Sequence, residues 1–272
     1  MTFRFERLRL HLRARDALYF APGTTANTLR GGFGSVLPRM DPAAWARIFE
    51  PRGAGPSGLA SPPRPFVFRA AHLDGRRIEA GEAFHFDVHL FDLREGMARD
   101  FARAFAVLGE SGMGPGRGRA EVAEAERLAT PEIRLDAPCP ARRARVRFLT
   151  PTELKVEGGL AARPEFGVLF ARLRDRISTL GALYGAGPLE IDFRAAGERA
   201  AAVRTVCCRV EHVAGERRSS RTGRTHPLGG FTGEAEYEGP LDEFVPYLRA
   251  GKWTGVGRQT VWGKGEIDVE PL

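Results

Sequence analysis

Cysteine, lysine and long apolar runs are all scarce in this chain of 272 residues. Its three cysteines, Cys139, Cys207 and Cys208, are too few and too irregularly spaced for a disulfide framework or a CxxC zinc site. In a strand the neighbouring thiols of residues 207 and 208 would point to opposite faces. No stretch approaches the roughly 18 apolar residues of a membrane span, and the opening MTFRFERLRL alternates charged with apolar residues, unlike a secretory leader. A soluble, cytoplasmic protein without membrane contact is expected. Three lysines stand among 41 basic residues, so arginine carries nearly all of a net charge of +7. Such an excess favours an anionic partner, nucleic acid first, although clustering says more than the total. An aromatic RNP motif is absent, so base stacking on a sheet has no support in the sequence.

What is present reads as two similar halves. Residues 3–12 alternate with the period of a strand, with a slip of phase near Glu6, and Ala21-Pro22-Gly23 then breaks the chain. Thr25 or Asn27 is placed to cap a helix whose apolar stripe is Leu29, Phe33, Val36 and Leu37. The Pro- and Gly-rich stretch 51–65 reads as a mobile loop. Phe84, Phe86, Val88 and Leu90 alternate with His85, Asp87 and His89, the pattern of a half-buried strand with a polar outer face. Phe101, Phe105 and Leu108 recur at helical spacing before the glycine-rich GESGMGPGRG of 109–118.

Pro138 and Pro140 mark a boundary, after which a strand at Arg145–Leu149 ends at Thr150-Pro151. The helix Phe166–Tyr184 follows, stopped by Gly185 and Gly187. Strands are expected at Leu189–Phe193, Val203–Val213 and Gly230–Tyr237, then a short helix from an Asp242 cap to Ala250 and a closing strand Glu266–Val269. This is an α+β pattern, most simply two tandem ferredoxin-like (RRM-like) domains at 1–140 and 141–272.

Gly251, Gly255, Gly257, Gly263 and Gly265 alternate with Lys252, Arg258 and Lys264 near the C-terminus. Missing Cβ atoms let backbone N–H groups approach phosphates, and the cations add attraction; a hairpin using glycine only for tight turns is the competing reading. A Walker A loop is excluded, because Gly265 follows Lys264 where a hydroxyl residue should stand.

The spacing G-x-G, five residues, G-x-G, with Thr260 inside, resembles the C-terminal signature of the CRISPR-associated RAMP superfamily. Leu29–Gly34 (LRGGFG) resembles that superfamily's N-terminal helix start, Gly112–Gly118 followed by Arg119 its central glycine loop, and FLTPTELK at 148–155 its inter-domain strand. The order of motifs is most similar to the repeat-processing endoribonucleases. That resemblance implies tandem ferredoxin-like domains that bind CRISPR repeat RNA and cut the precursor within repeats, needing neither metal nor cofactor. A ribose 2′-hydroxyl attacks the adjacent phosphate, leaving a 2′,3′-cyclic phosphate and a 5′-hydroxyl. It also implies interference-complex subunits as further partners, leaves a homodimer open, and puts Arg117, Arg119, Lys252, Gly255, Gly257, Arg258, Thr260, Gly263, Lys264 and Gly265 on the RNA side.

The reaction needs a base, an acid and cations, and histidine suits the first two roles. The family often places a histidine near the first helix, but none lies between His11 and His72. His226 is the first candidate. It closes a basic loop, 215–226, with Arg217, Arg218, Arg221 and Arg224, suited to an RNA groove or its phosphates, or else a solvated hairpin tip. Tyr19 and Arg30 are candidates to orient or protonate at the site, against ordinary roles as a rim aromatic and a helix-face cation. His72 is a further candidate acid or base. His85, Asp87 and His89 would make a metal site only with a further ligand. The Arg142–Arg147 run suits phosphate contact and solvation equally. A non-catalytic RAMP subunit is the alternative function, and a protein-interaction module with surplus arginine a third.

Overall fold

The computed structural model describes all residues except 52–61, 95, 219–224 and 228, and describes 216–218 and 225–227 by their backbone only. The first body is built from β1 (Glu6–Ala14), α1 (Thr25–Met40), α2 (Pro42–Phe49), β2 (Phe66–Arg69), β3 (Ala83–Leu90), α3 (Met97–Ser111) and β4 (Ala120–Leu128). The second is built from β5 (Arg143–Thr152), α4 (Phe166–Tyr184), α5 (Phe193–Ala201), β6 (Arg204–Val213), β7 (Gly230–Glu238), α6 (Val245–Thr254) and β8 (Ile267–Pro271). Sheet orders are β2-β3-β1-β4 and β6-β7-β5-β8, antiparallel throughout. Each body is therefore a βαββαβ unit whose first and third strands lie in the middle of the sheet, the ferredoxin-like arrangement.

Strand alternation decides which face each core takes. In β1, Leu8, Leu10, Leu12 and Ala14 enter the first core with Phe33, Phe66, Phe101 and Phe105, whose rings contact one another. In β5, Ala144, Val146 and Phe148 enter the second core under α4 and α6. The slip of phase near Glu6 is the handover between cores. Phe3 and Phe5 belong to the second core, and Leu8 is the first β1 side chain in the first. Phe5 lies 5.2 Å from the Trp253 ring of α6, so the outer face of the first sheet is covered at that end by the second body.

This covering corrects the expected polar outer face of β3: His89 is 4% exposed and Asp87 8%. Three further differences have local causes. The residues before Phe193 form no strand, because Asp192 caps α5 by accepting from the N–H groups of Arg194 and Ala195. Asp242 is spent on the Ala141 N–H instead of a helix cap, so α6 starts at Val245. Helix α2 has no counterpart among the expected elements; Asp41 accepts from Ala44 N–H and Pro42 fills its first turn. Most of the loop expected at 51–65 lies outside the described residues.

Candidate nucleic-acid interface

The C-terminal glycine segment runs from the end of α6 through a 3₁₀ turn at Thr260–Trp262 into β8. Gly255, Gly257, Gly263 and Gly265 all have positive φ, between 68° and 79°. The space their Cβ atoms would occupy is already filled by protein. A Cβ at Gly257 would meet the Glu153 carbonyl oxygen at 2.2 Å, and one at Gly263 would meet Ala26 Cβ of α1 at 2.4 Å. The loop's N–H groups are largely engaged as well. Val256 donates to Gly265, Arg258 to Glu153, Gly263 to Thr260 and Gly265 to Pro151, while Glu266 donates to the Thr150 hydroxyl. The glycines thus serve close approach of protein to protein, in place of the expected open cradle of N–H groups for phosphate.

The loop's polar side chains are similarly committed. Thr260 is buried, Lys252 pairs with Asp268 at 2.8 Å, and Arg258 pairs with Glu153 at 3.1 Å. Lys264 is 6% exposed and donates to the Gly23 carbonyl oxygen at 3.2 Å. Burial lowers its pKa, partly offset by Asp74. The cavity beside it, between Gly23, Asp74, Trp262 and Glu266, measures about 20 Å³, room for one water and not for a nucleotide.

Three side chains, Arg69 and His89 buried and Arg176 half-buried, tie the start of this loop to both bodies. Arg69 of β2 donates to the carbonyls of Lys252 and Trp253, Arg176 of α4 donates to that of Thr254 at 3.0 Å, and His89 Nδ1 lies 2.9 Å from the Trp253 carbonyl oxygen. These are terminal carbonyls of α6, where cations complement the helix dipole. Burial pushes the Arg176 guanidinium down to about 9, helped by Arg69, so it remains a cation at neutral pH. Burial, with repulsion from Arg69, pushes His89 down to about 3 and keeps it neutral.

The N-terminal motif sits against the same loop. Arg30 lies with its guanidinium 5.2 Å from the Phe49 ring and 5.7 Å from the Trp262 ring. Gly32 admits Leu108 of α3, and Gly34 admits Phe49. Tyr19 is half exposed at the Leu18–Tyr19 bridge with Arg77–Ile78. The central loop approaches it: a Cβ at Gly114 would come within 3.4 Å of the Tyr19 carbonyl oxygen, and one at Gly118 within 2.5 Å of that of Ala17. Arg119 forms a bidentate pair with Asp16, and Arg117, at φ 50°, is exposed. Tyr19, the α1 start and both glycine loops therefore form one connected region.

His226 lies on a small hairpin, Glu216–Arg218 with Thr225–Pro227, in which Arg217 opposes His226 and Arg218 opposes Thr225. The side chains of Arg217, Arg218 and His226, and all of Arg221 and Arg224, lie outside the described residues. The hairpin's root is fixed. Val213 pairs with Gly230, and Phe231 pairs with Thr152, next to the Glu153 carbonyl that receives Arg258 N–H. The basic hairpin thus springs from the end of the second sheet that holds the glycine segment.

The arginine run of β5 is not a bare cationic strip. Arg143 and Arg145 share Glu236, Arg145 and Arg147 reach Glu270, and Arg147 lies 3.8 Å from Asp268. Glu236 is held low in pKa by Arg145 first and Arg143 second. In the other sheet Arg9 binds Asp87 through two hydrogen bonds, at 2.6 and 3.1 Å, which together with the burial of His89 removes the metal alternative on β3. Among the described residues no group of His, Cys, Asp or Glu is arranged to hold a metal ion.

The chain is thus built as two tandem ferredoxin-like bodies joined through a glycine segment docked on the first helix. Residues 146–267 match the family model of the CRISPR-associated endoribonuclease Cas6, and residues 3–137 match a family model described as an N-terminal domain. The C-terminal half of the chain therefore matches the Cas6 family of CRISPR-associated endoribonucleases. In fold the chain is similar to a Cas6 product complex (20% identity, TM-score 0.64, 99% of this chain and 100% of that one). A second Cas6 product complex (21%, 0.62, 99% and 100%) and Thermus thermophilus Cas6 (19%, 0.59, 98% and 98%) are also similar. No curated protein matches the sequence. Among the described residues no helix is long and apolar enough to cross a membrane.

Proposed function

We infer that the chain cuts CRISPR precursor RNA within its repeats without a metal ion, in the cytoplasm. The ribose 2′-hydroxyl loses its proton to a base and attacks the neighbouring phosphorus. The 5′-oxygen leaves with a proton from an acid, giving a 2′,3′-cyclic phosphate and a 5′-hydroxyl. The observation that carries this reading is the docking of the glycine segment on α1, with Gly263 against Ala26, in a Cas6-family fold. The matched structures include Cas6 proteins with product and with a substrate mimic.

His226 takes the proton-transfer role, with the arginines of its hairpin following the phosphates and Tyr19 and Arg30 assisting from the α1 side. The other histidines are committed elsewhere, which supports this choice. His11 pairs with Glu126 at 2.9 Å, His72 and His212 bond backbone carbonyls, His85 stacks on His72, and His89 is buried. The absence of histidine from α1 favours a second reading, a non-catalytic RAMP subunit that holds repeat RNA or crRNA among interference-complex subunits. One matched structure is a partial complex of Cas6-RT-Cas1 with Cas2. Replacing His226 by Ala separates the two. On the first reading cleavage of repeat RNA falls by at least about 100-fold, the size of a general acid or base contribution, with binding largely kept. Unchanged cleavage removes His226 from the site, and no defined cut by the unaltered protein favours the second reading.

A further inference from the structure

The second sheet neutralises its arginines strand by strand, yet on one face of α6 Arg249 has no such carboxylate partner among the described residues. Pro246, Arg249 and Trp253 recur at i, i+3, i+7 and, with Lys252, line a cavity of about 610 Å³. The segment 131–137, which carries Arg134, and the closing strand β8 form its other walls. Arg249 is exposed and has no ion pair among the described residues. Arg134 lies 3.7 Å from Asp136, outside the cavity, and Lys252 shares Asp268. Glu132 is the one carboxylate among the described lining residues. The remaining wall is apolar: Ile133, Val269, Trp253 and prolines. Trp253 is held in place by the Arg7 guanidinium 4.9 Å from its ring and by Phe5.

A cavity of this size, in the range that encloses a small ligand, lined by three cations and by apolar groups that include an indole ring, has the chemistry of a nucleotide site. It also adjoins the glycine segment, since Trp253 precedes Gly255 by two residues. We propose that this cavity takes one single-stranded nucleotide of the bound RNA, away from the bond that is cut. The phosphate meets Arg249, Lys252 and Arg134, and the base lies against Trp253, Ile133 and the prolines. The proposal rests on the RNA-cutting reading and adds a contact that reading does not require.

The test is equilibrium binding of repeat RNA with a single-stranded flank, over a series of salt concentrations, for the unaltered protein, R249A and R134A/R249A. Each lost phosphate contact lowers the slope of log K against log salt by about 0.7, so the double variant loses about 1.4. The cutting rate at saturating RNA stays unchanged, and equal urea midpoints show that the exposed substitutions leave the fold intact. A second arm places 4-thiouridine in the flank and maps ultraviolet crosslinks, which are expected on the peptide spanning 246–253. Unchanged slopes in both variants, or crosslinks confined to other segments, overturn the proposal while leaving RNA cutting intact. An effect seen only on capture of an acidic peptide, with RNA slopes unmoved, assigns the cavity to a protein partner and overturns it too. If the unaltered protein neither binds nor cuts RNA, the failure lies in the underlying reading.

Discussion

Gly263 lies against Ala26 so closely that a Cβ on the glycine would come within 2.4 Å of the alanine Cβ. That contact joins the last glycine segment of one body to the first helix of the other, and it makes the glycine a requirement of assembly. Gly263→Val places a β-branched residue at φ 79° and into a closed contact, and a loss of about 1–3 kcal/mol is expected, read as a lower urea midpoint.

Gly31 offers the contrast. It lies inside α1, and a Cβ added there would meet nothing within 4 Å. Gly31→Ala is expected to raise stability by about 0.5–1 kcal/mol, since alanine loses less chain entropy in a helix. The same urea titration checks this. If RNA backbone runs over this turn of the helix, the variant binds repeat RNA more weakly while being more stable.

These two glycines show what the sequence carried and what it did not. Local periodicity was legible: Phe166 to Tyr184 gave α4, Phe84 to Leu90 gave β3, and the two repeated halves gave the tandem fold. Residues that meet only across the chain were not. Nothing near Gly263 in sequence announces Ala26, and nothing beside Arg145 announces Glu236 and Glu270. The burial of His89 was hidden for the same reason, because alternation within β3 assigns it to the outer face without saying that α6 covers that face. The Asp41-Pro42 pair, by contrast, was a local signal for α2 that could have been used. For the proposed site, the glycine motifs were visible, whereas their internal engagement was not.

His89 supplies a pH dependence of stability. Its pKa is about 3 in the fold, below its ordinary value of 6.5, so between those pH values the unfolded chain binds more protons. Stability therefore rises with pH through this window, is fully present above it, and is lost as pH falls, by at most about 1.4 kcal/mol per pH unit from this group. Urea midpoints for the unaltered protein and H89Q, at pH 7.5 and pH 5, should differ less in the variant.

Arg69 reaches the α6 terminus from the first body. Arg69→Met leaves the carbonyls of Lys252 and Trp253 without those donors, and a cost of about 2 kcal/mol is expected from hydrogen bonds made by a charged group. Because the glycine segment begins two residues later, the variant should also raise the RNA concentration needed for half-maximal cutting. Thermal unfolding and a cleavage titration check the two effects separately.

The proposed internal attack of the 2′-hydroxyl on repeat RNA leaves chemical ends that can be read. The decisive experiment incubates the protein with repeat RNA in EDTA and determines both new ends by mass spectrometry. One defined cut, with a 2′,3′-cyclic phosphate on one product and a 5′-hydroxyl on the other, is the predicted result. Cleavage abolished by EDTA, or a 5′-phosphate on the downstream product, would contradict it.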